Sequence, residues 1–134
     1  MIDKNKLTDR ELTEEEEIYK ENILDYYKHP RNKRILKTKI KANDKNILCG
    51  DEITIYLQIK KNKIEEATFT GDGCAISQAS ASMLTEKLKG LTLKQAKSIS
   101  KEDIIKMLGI PLSFIRTKCA LLSLEVLNKA LESK

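Results

Sequence analysis

With 134 residues, 40% of them hydrophobic and 34% charged, the chain has the length and composition of one globular domain whose core needs no disulfide staples. No apolar run approaches the roughly 18 residues of a membrane span, and the first residues, Met1-Ile2-Asp3-Lys4-Asn5-Lys6, are too polar for a secretory leader, so a cytoplasmic protein without membrane contact is expected. The formal net charge of +5 is uneven: residues 1–17 carry three Lys/Arg against seven Asp/Glu, whereas residues 28–45 hold eight Lys/Arg and one acid, Asp44.

Residues 1–12 read as a flexible acidic arm, followed by a single domain over 13–134. Thr13 with Glu16 forms a capping box, and Glu14 to Glu17 supply the negative charge that favours a helix start. A helix is predicted through Tyr27, stopped by Pro30, with His29, the one histidine, read as a helix-end residue. The basic block that follows would suit phosphate neutralisation. No aromatic residue is interleaved with its charges, which removes the stacking a single-strand binder needs, and a solvated or protein-docking surface is the preferred reading over nucleic acid.

Arg34 to Lys41 alternates weakly and is predicted as an edge strand guarded by lysines. Ile53, Ile55, Leu57 and Ile59 alternate strictly with polar residues, predicting a strand with one buried face. A hairpin turn at 60–63 leads into a third strand carrying Ala67, Phe69 and Thr70. After Cys74 the period becomes helical, with Ile76, Ala79, Met83, Leu84 and Leu88 at spacings of three and four until Gly90. Ser77, Ser80 and Ser82 keep this helix small enough for close approach to a neighbour. Thr92 with Gln95 starts another helical segment, Ser100 caps one that reaches Leu108, and a last helix follows Gly109 and Pro111 with Ala120, Leu124, Leu127 and Leu131 on one face. The order predicts an α+β fold: a three-stranded antiparallel sheet with an N-terminal helix and several C-terminal helices packed on one face.

Three of the five glycines, Gly50, Gly71 and Gly73, lie close to Cys49 or Cys74, outside the Leu/Ile runs where core cysteines belong. Cys49 and Asp51 precede one strand and Cys74 follows its hairpin partner, so an antiparallel pair makes them neighbours. Cys119 joins them if the last helix aims its start at the same sheet edge. There the helix dipole, Arg116 and Lys118 would favour the thiolate that binds metals and attacks sulfur, and Cys74, which also opens a helix, would gain similar help. Three thiolates and a carboxylate satisfy tetrahedral zinc and equally an iron–sulfur cluster with one oxygen ligand. Asp51, harder than a thiolate, makes such a site release its cargo readily, which points to temporary custody. For any one of the three cysteines the alternative is a small buried hydrophobe.

Several motifs carry a family resemblance: Tyr27 with Pro30-Arg31-Asn32, Cys49-Gly50-Asp51, Gly73-Cys74-x-Ile76-Ser77 followed by Ala79-Ser80-Ala81-Ser82, and Lys118-Cys119-Ala120. From about Glu21 to Leu131 the chain resembles the iron–sulfur cluster assembly scaffolds, comprising the NifU N-terminal domain, IscU and SufU. The resemblance implies that Cys49, Asp51, Cys74 and Cys119 hold a transient cluster, of the 2Fe–2S type, or zinc. It also implies a cysteine desulfurase as sulfur-donating partner and apo iron–sulfur proteins as recipients. Two functions follow from it. One is a non-enzymatic scaffold for iron and sulfide; the other is an enzyme, a zinc-dependent SufU-type sulfurtransferase, in which Cys49 accepts persulfide sulfur. IscU-type chains have His before the third cysteine, where Lys118 stands here as in SufU-type chains. The stretch from Ser98 to Cys119 has no room for the SufU-type insertion, and Gly109-Ile110-Pro111-Leu112-Ser113 lacks the Pro-Pro-Val-Lys core that IscU presents to its chaperone.

Overall fold

The computed structural model describes residues 11–133. Of the expected acidic arm, residues 1–10 lie outside the described residues, and Leu12 packs against the core. Helix α1 (Glu14–Lys28) begins with the full Thr13/Glu16 capping box, in which each side chain takes the other residue's backbone N–H at 3.2 and 3.0 Å. His29 caps the far end, its N–H donating to Asp25 O.

Three strands follow, β1 (Ile40–Asn46), β2 (Asp51–Lys60) and β3 (Lys63–Asp72), in spatial order β1-β2-β3 and all antiparallel. Strand β2 is central, paired on both edges, and one of its faces is fully buried: Ile53, Ile55 and Leu57 lie in the core while Thr54 and Tyr56 lie on the other face. Burying each of those three side chains contributes roughly 1.5–3 kcal/mol, and a one-residue slip would forfeit all of it, which is what fixes the register. Lys61 and Asn62 make the two-residue β2–β3 turn with φ of 51° and 65°, the left-handed pair such turns require.

The edge strand is displaced from its predicted position: it runs over Ile40–Asn46, not Arg34–Lys41. The earlier residues are held at the opposite edge of the sheet, where Phe69 N–H donates to Asn32 O and Lys33 bridges Phe69 in parallel. Residues 35–39 then carry the chain across to the β1 edge. There Thr38 Oγ1 donates to Leu57 O at 2.7 Å and pairing with β2 begins at Ile40.

Helices α2 (Ala75–Leu88), α3 (Leu93–Lys97), α4 (Lys101–Leu108) and α5 (Phe114–Glu132) complete the fold. Helix α2 packs on β3, α5 on β1 and β2, and α1 on the outer side of α2. The serines permit the close approach of α2 to α5: Ser80 Oγ donates to Ala120 O at 2.8 Å and shares a hydrogen bond with Ser123 Oγ, all fully buried. Ser82 Oγ accepts the Arg31 N–H and so ties the segment after α1 to the same helix. No described helix is long and apolar enough to cross a membrane.

Candidate metal and sulfur site

The β2–β3 register sets Asp51 at the start of one strand beside the end of the other, with Glu52 opposite Asp72 and Gly71 opposite Ile53. Gly71 and Gly73 let the chain leave β3 closely: a Cβ at Gly71 would lie 2.1 Å from Glu52 O, and one at Gly73 2.3 Å from Asp51 Oδ1. Cys74 is thereby brought down onto Asp51, whose Oδ1 accepts the Cys74 backbone N–H at 2.9 Å while Oδ2 lies 3.5 Å from Cys74 Sγ. Asp51 is only 1% exposed, and that backbone hydrogen bond is what makes its burial tolerable.

Cys49 arrives from the other side, on a turn between β1 and β2 in which Asn46 O accepts from both Cys49 N and Gly50 N. Gly50 closes the turn at φ +73°. Because α5 lies across β1 and β2, Cys119 reaches the same point, with its sulfur 2.9 Å from Cys49 Sγ. The ligand atoms of Cys49, Asp51 and Cys119 all lie within 4.8 Å of one another. Cys74 sits beside this trio, its sulfur 3.5 Å from Asp51 Oδ2. A cleft of about 490 Å³ opens over the group, lined by Leu48, Cys49, Asp51, Gly73, Cys74, Ile115 and Arg116.

The electrostatics divide the thiols. Cys74 is lowered from 9.0 to about 6, first because Cys119 donates a hydrogen bond to its sulfur, with further help from the Ser77 backbone N–H and the Arg116 charge against burial and the Asp51 carboxylate. Cys119 is shifted the opposite way: it keeps its proton because it is the donor to Cys74, and burial adds to the effect. This corrects the expectation that the start of the last helix ionises Cys119. It is the sixth residue of α5, past the first turn where the dipole acts, and fully buried, whereas Cys74 is the N-cap of α2.

The donor set fits a tetrahedral thiophilic ion in kind. An ion bonded to two thiolates at about 2.3 Å holds those sulfurs about 3.8 Å apart. Loading would therefore spread Cys49 and Cys119 by a little under an ångström, within reach of side-chain rotation at the half-buried Cys49.

Sequence reasoning passed over Asn46. Its side-chain Nδ2 lies 3.6 Å from Cys49 Sγ and 3.8 Å from Cys119 Sγ, while its Oδ1 accepts the Leu48 N–H at 3.1 Å. The available signal was an Asn three residues before a cysteine that is followed by Gly, the pattern of a side-chain-capped turn. His29, exposed at the end of α1, belongs to no cluster of candidate ligands among the described residues.

Fold and site together define a class: small α+β proteins that gather cysteine sulfur and a carboxylate under one open cleft. The chain belongs to the NifU-like N terminal domain family, whose model matches residues 18–133. It is 36% identical over 129 residues to the zinc-dependent sulfurtransferase SufU of Bacillus subtilis, covering 84% of this chain and 88% of that protein. It is 33% identical over 124 residues to the iron-sulfur cluster assembly scaffold protein IscU of Escherichia coli, covering 84% and 91%. Among solved structures it resembles a candidate iron-sulfur cluster assembly scaffold protein for the SUF system from Fervidobacterium islandicum, with a TM-score of 0.70 and 32% identity over 86% of this chain and 97% of that one.

Proposed function

We propose that this protein is an iron–sulfur cluster assembly scaffold: iron and sulfide are its cargo, assembled on Cys49, Asp51, Cys74 and Cys119 and then passed to apo-proteins. The observation that supports this reading is the meeting of Cys49, Asp51 and Cys119 ligand atoms within 4.8 Å of one another, with Cys74 against Asp51, beside one open cleft. A buried all-thiolate site would favour permanent retention; here a hard carboxylate stands among soft sulfurs, and one sulfur rides on an exposed turn, which favours release. Cys74 is ionised at neutral pH and ready to take a cation, whereas Cys119 gives up its proton as metal displaces its hydrogen bond to Cys74. Sulfur has to be supplied by a partner of the cysteine desulfurase type, which reaches the site through the cleft. The reading is tested by supplying anaerobic protein with iron, cysteine and a desulfurase. Visible cluster absorbance with matched iron and acid-labile sulfide, lost in Cys49→Ser, is the expected result; a colourless product would count against it.

A second reading has its own support in the 36% identity to a zinc-dependent sulfurtransferase and in Lys118 directly before Cys119. In that chemistry a resident zinc holds the site, and the Cys49 thiolate attacks the outer sulfur of a desulfurase persulfide. The S–S bond breaks, the desulfurase cysteine leaves as thiolate, and Cys49 carries the persulfide. Zinc-stimulated desulfurase turnover in the absence of any cluster would favour it over the scaffold.

A further inference from the structure

We propose that Asn46 is a positioning residue of the site, one carboxamide that holds the sulfurs of Cys49 and Cys119 as a pair by donating N–H to both. The inference rests on the reading of Cys49 and Cys119 as ligands.

Three bonds from one side chain carry it. Asn46 Nδ2 has two N–H groups, and the Cys49 and Cys119 sulfurs accept from it at 3.6 and 3.8 Å. Its Oδ1 accepts the Leu48 N–H at 3.1 Å, which fixes the carboxamide plane, and its backbone carbonyl receives Cys49 N at 3.3 Å and Gly50 N at 2.8 Å. The turn bearing Cys49 is thus folded around Asn46, and the amide left over faces the sulfurs. The residue ends β1, paired with Asp51 across the sheet, so its Cα is anchored by the ladder and the amide position is inherited from the fold.

Chemically, an N–H aimed at a thiolate draws electron density off the sulfur. Three thiolates and a carboxylate on one divalent ion leave a net charge of −2, and two amide N–H dipoles directed at two of the sulfurs offset part of it. Groups that orient and polarise metal ligands in this way typically change metal affinity by about 10–100-fold when removed. Asn46 therefore acts through the sulfurs and touches no cargo atom.

Two substitutions separate the amide from the turn. Asn46→Asp keeps the shape and the oxygen that caps Leu48 N–H but has no donor for sulfur. Asn46→Ser keeps a neutral acceptor on a stem too short to replace the amide at both sulfurs. The probes are zinc, titrated against a chromophoric chelator, and cobalt(II), whose sulfur-to-metal charge-transfer bands report electron density on the thiolates. Both variants are expected to bind zinc roughly tenfold more weakly or worse, with cobalt bands moved to lower energy because the sulfurs become better donors. Wild-type zinc affinity together with unmoved cobalt bands in both variants overturns the inference. Failure of the unsubstituted protein to bind either metal through sulfur would instead overturn the assignment of the ligands themselves, so the two failures are distinguishable.

Discussion

Replacing Gly73 by Ala offers a test in which the same methyl group can be placed in a tight position and in an open one. At Gly73 the new Cβ would lie 2.3 Å from Asp51 Oδ1 and 2.8 Å from Ser77 Oγ, where ordinary contact begins at 3.4 Å. Relief requires the Asp51 carboxylate to retreat by about an ångström, and that breaks its 2.9 Å hydrogen bond from Cys74 N–H. Loss of a hydrogen bond to a buried charge costs about 1.5–3 kcal/mol, and an L-residue at φ +155° adds roughly 1–3 kcal/mol of backbone strain. The expected destabilisation is about 3–5 kcal/mol, a fall in Tm of roughly 10–20 °C for a domain of this size. At Gly50 a Cβ meets nothing within 4 Å, so Gly50→Ala should cost only the left-handed backbone term of roughly 1–2 kcal/mol. Calorimetry of both variants in metal-free buffer reads the difference directly, and a zinc titration of Gly73→Ala should show weakened binding because Asp51 has moved. Equal melting of the two variants would refute the reasoning that Gly73 exists to admit Asp51.

Ultraviolet thiolate absorbance of the metal-free protein should show one cysteine ionising near pH 6, and Cys119→Ala should move that midpoint upward, because the hydrogen bond from Cys119 is the largest cause of the lowering. An unmoved midpoint would mean the two sulfurs are not coupled. Ser80→Ala removes the buried bonds to Ala120 O and Ser123 Oγ and should cost about 1–3 kcal/mol. The exposed Ser98→Ala should stay within about 0.5 kcal/mol in the same denaturant titrations; a similar cost at both sites would discredit the α2–α5 seam. Asp51→Cys supplies a fourth soft ligand and should slow transfer of a preassembled cluster to an apo-protein. Transfer at the original rate or faster would contradict the role given to the carboxylate.

What the sequence announces and what it conceals follow from where the information lies. The β2 alternation, the turn at Lys61-Asn62 and the Thr13 and Thr92 capping boxes are local, each set by residues a few positions apart, and all of them stand in the structure. Strand β1 is not local: Ala42-Asn43-Asp44-Lys45-Asn46 has poor strand propensity and becomes a strand because β2 offers it an unpaired edge. The weak alternation before it was misleading, since residues 32–33 are claimed by β3. The nearness of Asp51 and Cys74 follows from hairpin register and is readable in advance. That of Cys119 depends on how α5 crosses the sheet, which no spacing reveals. The acid–base assignment of Cys119 was misread for the same reason, because its partner is Cys74 from another helix and not its own helix dipole.

Everything rests on Cys49, Asp51, Cys74 and Cys119 acting as one ligand set. X-ray absorption fine structure on the zinc-loaded protein measures this directly: three sulfurs at about 2.3 Å and one oxygen at about 2.0 Å are predicted, falling to two sulfurs in Cys74→Ser. A shell of two sulfurs in the unsubstituted protein, unchanged by Cys74→Ser, would contradict the account.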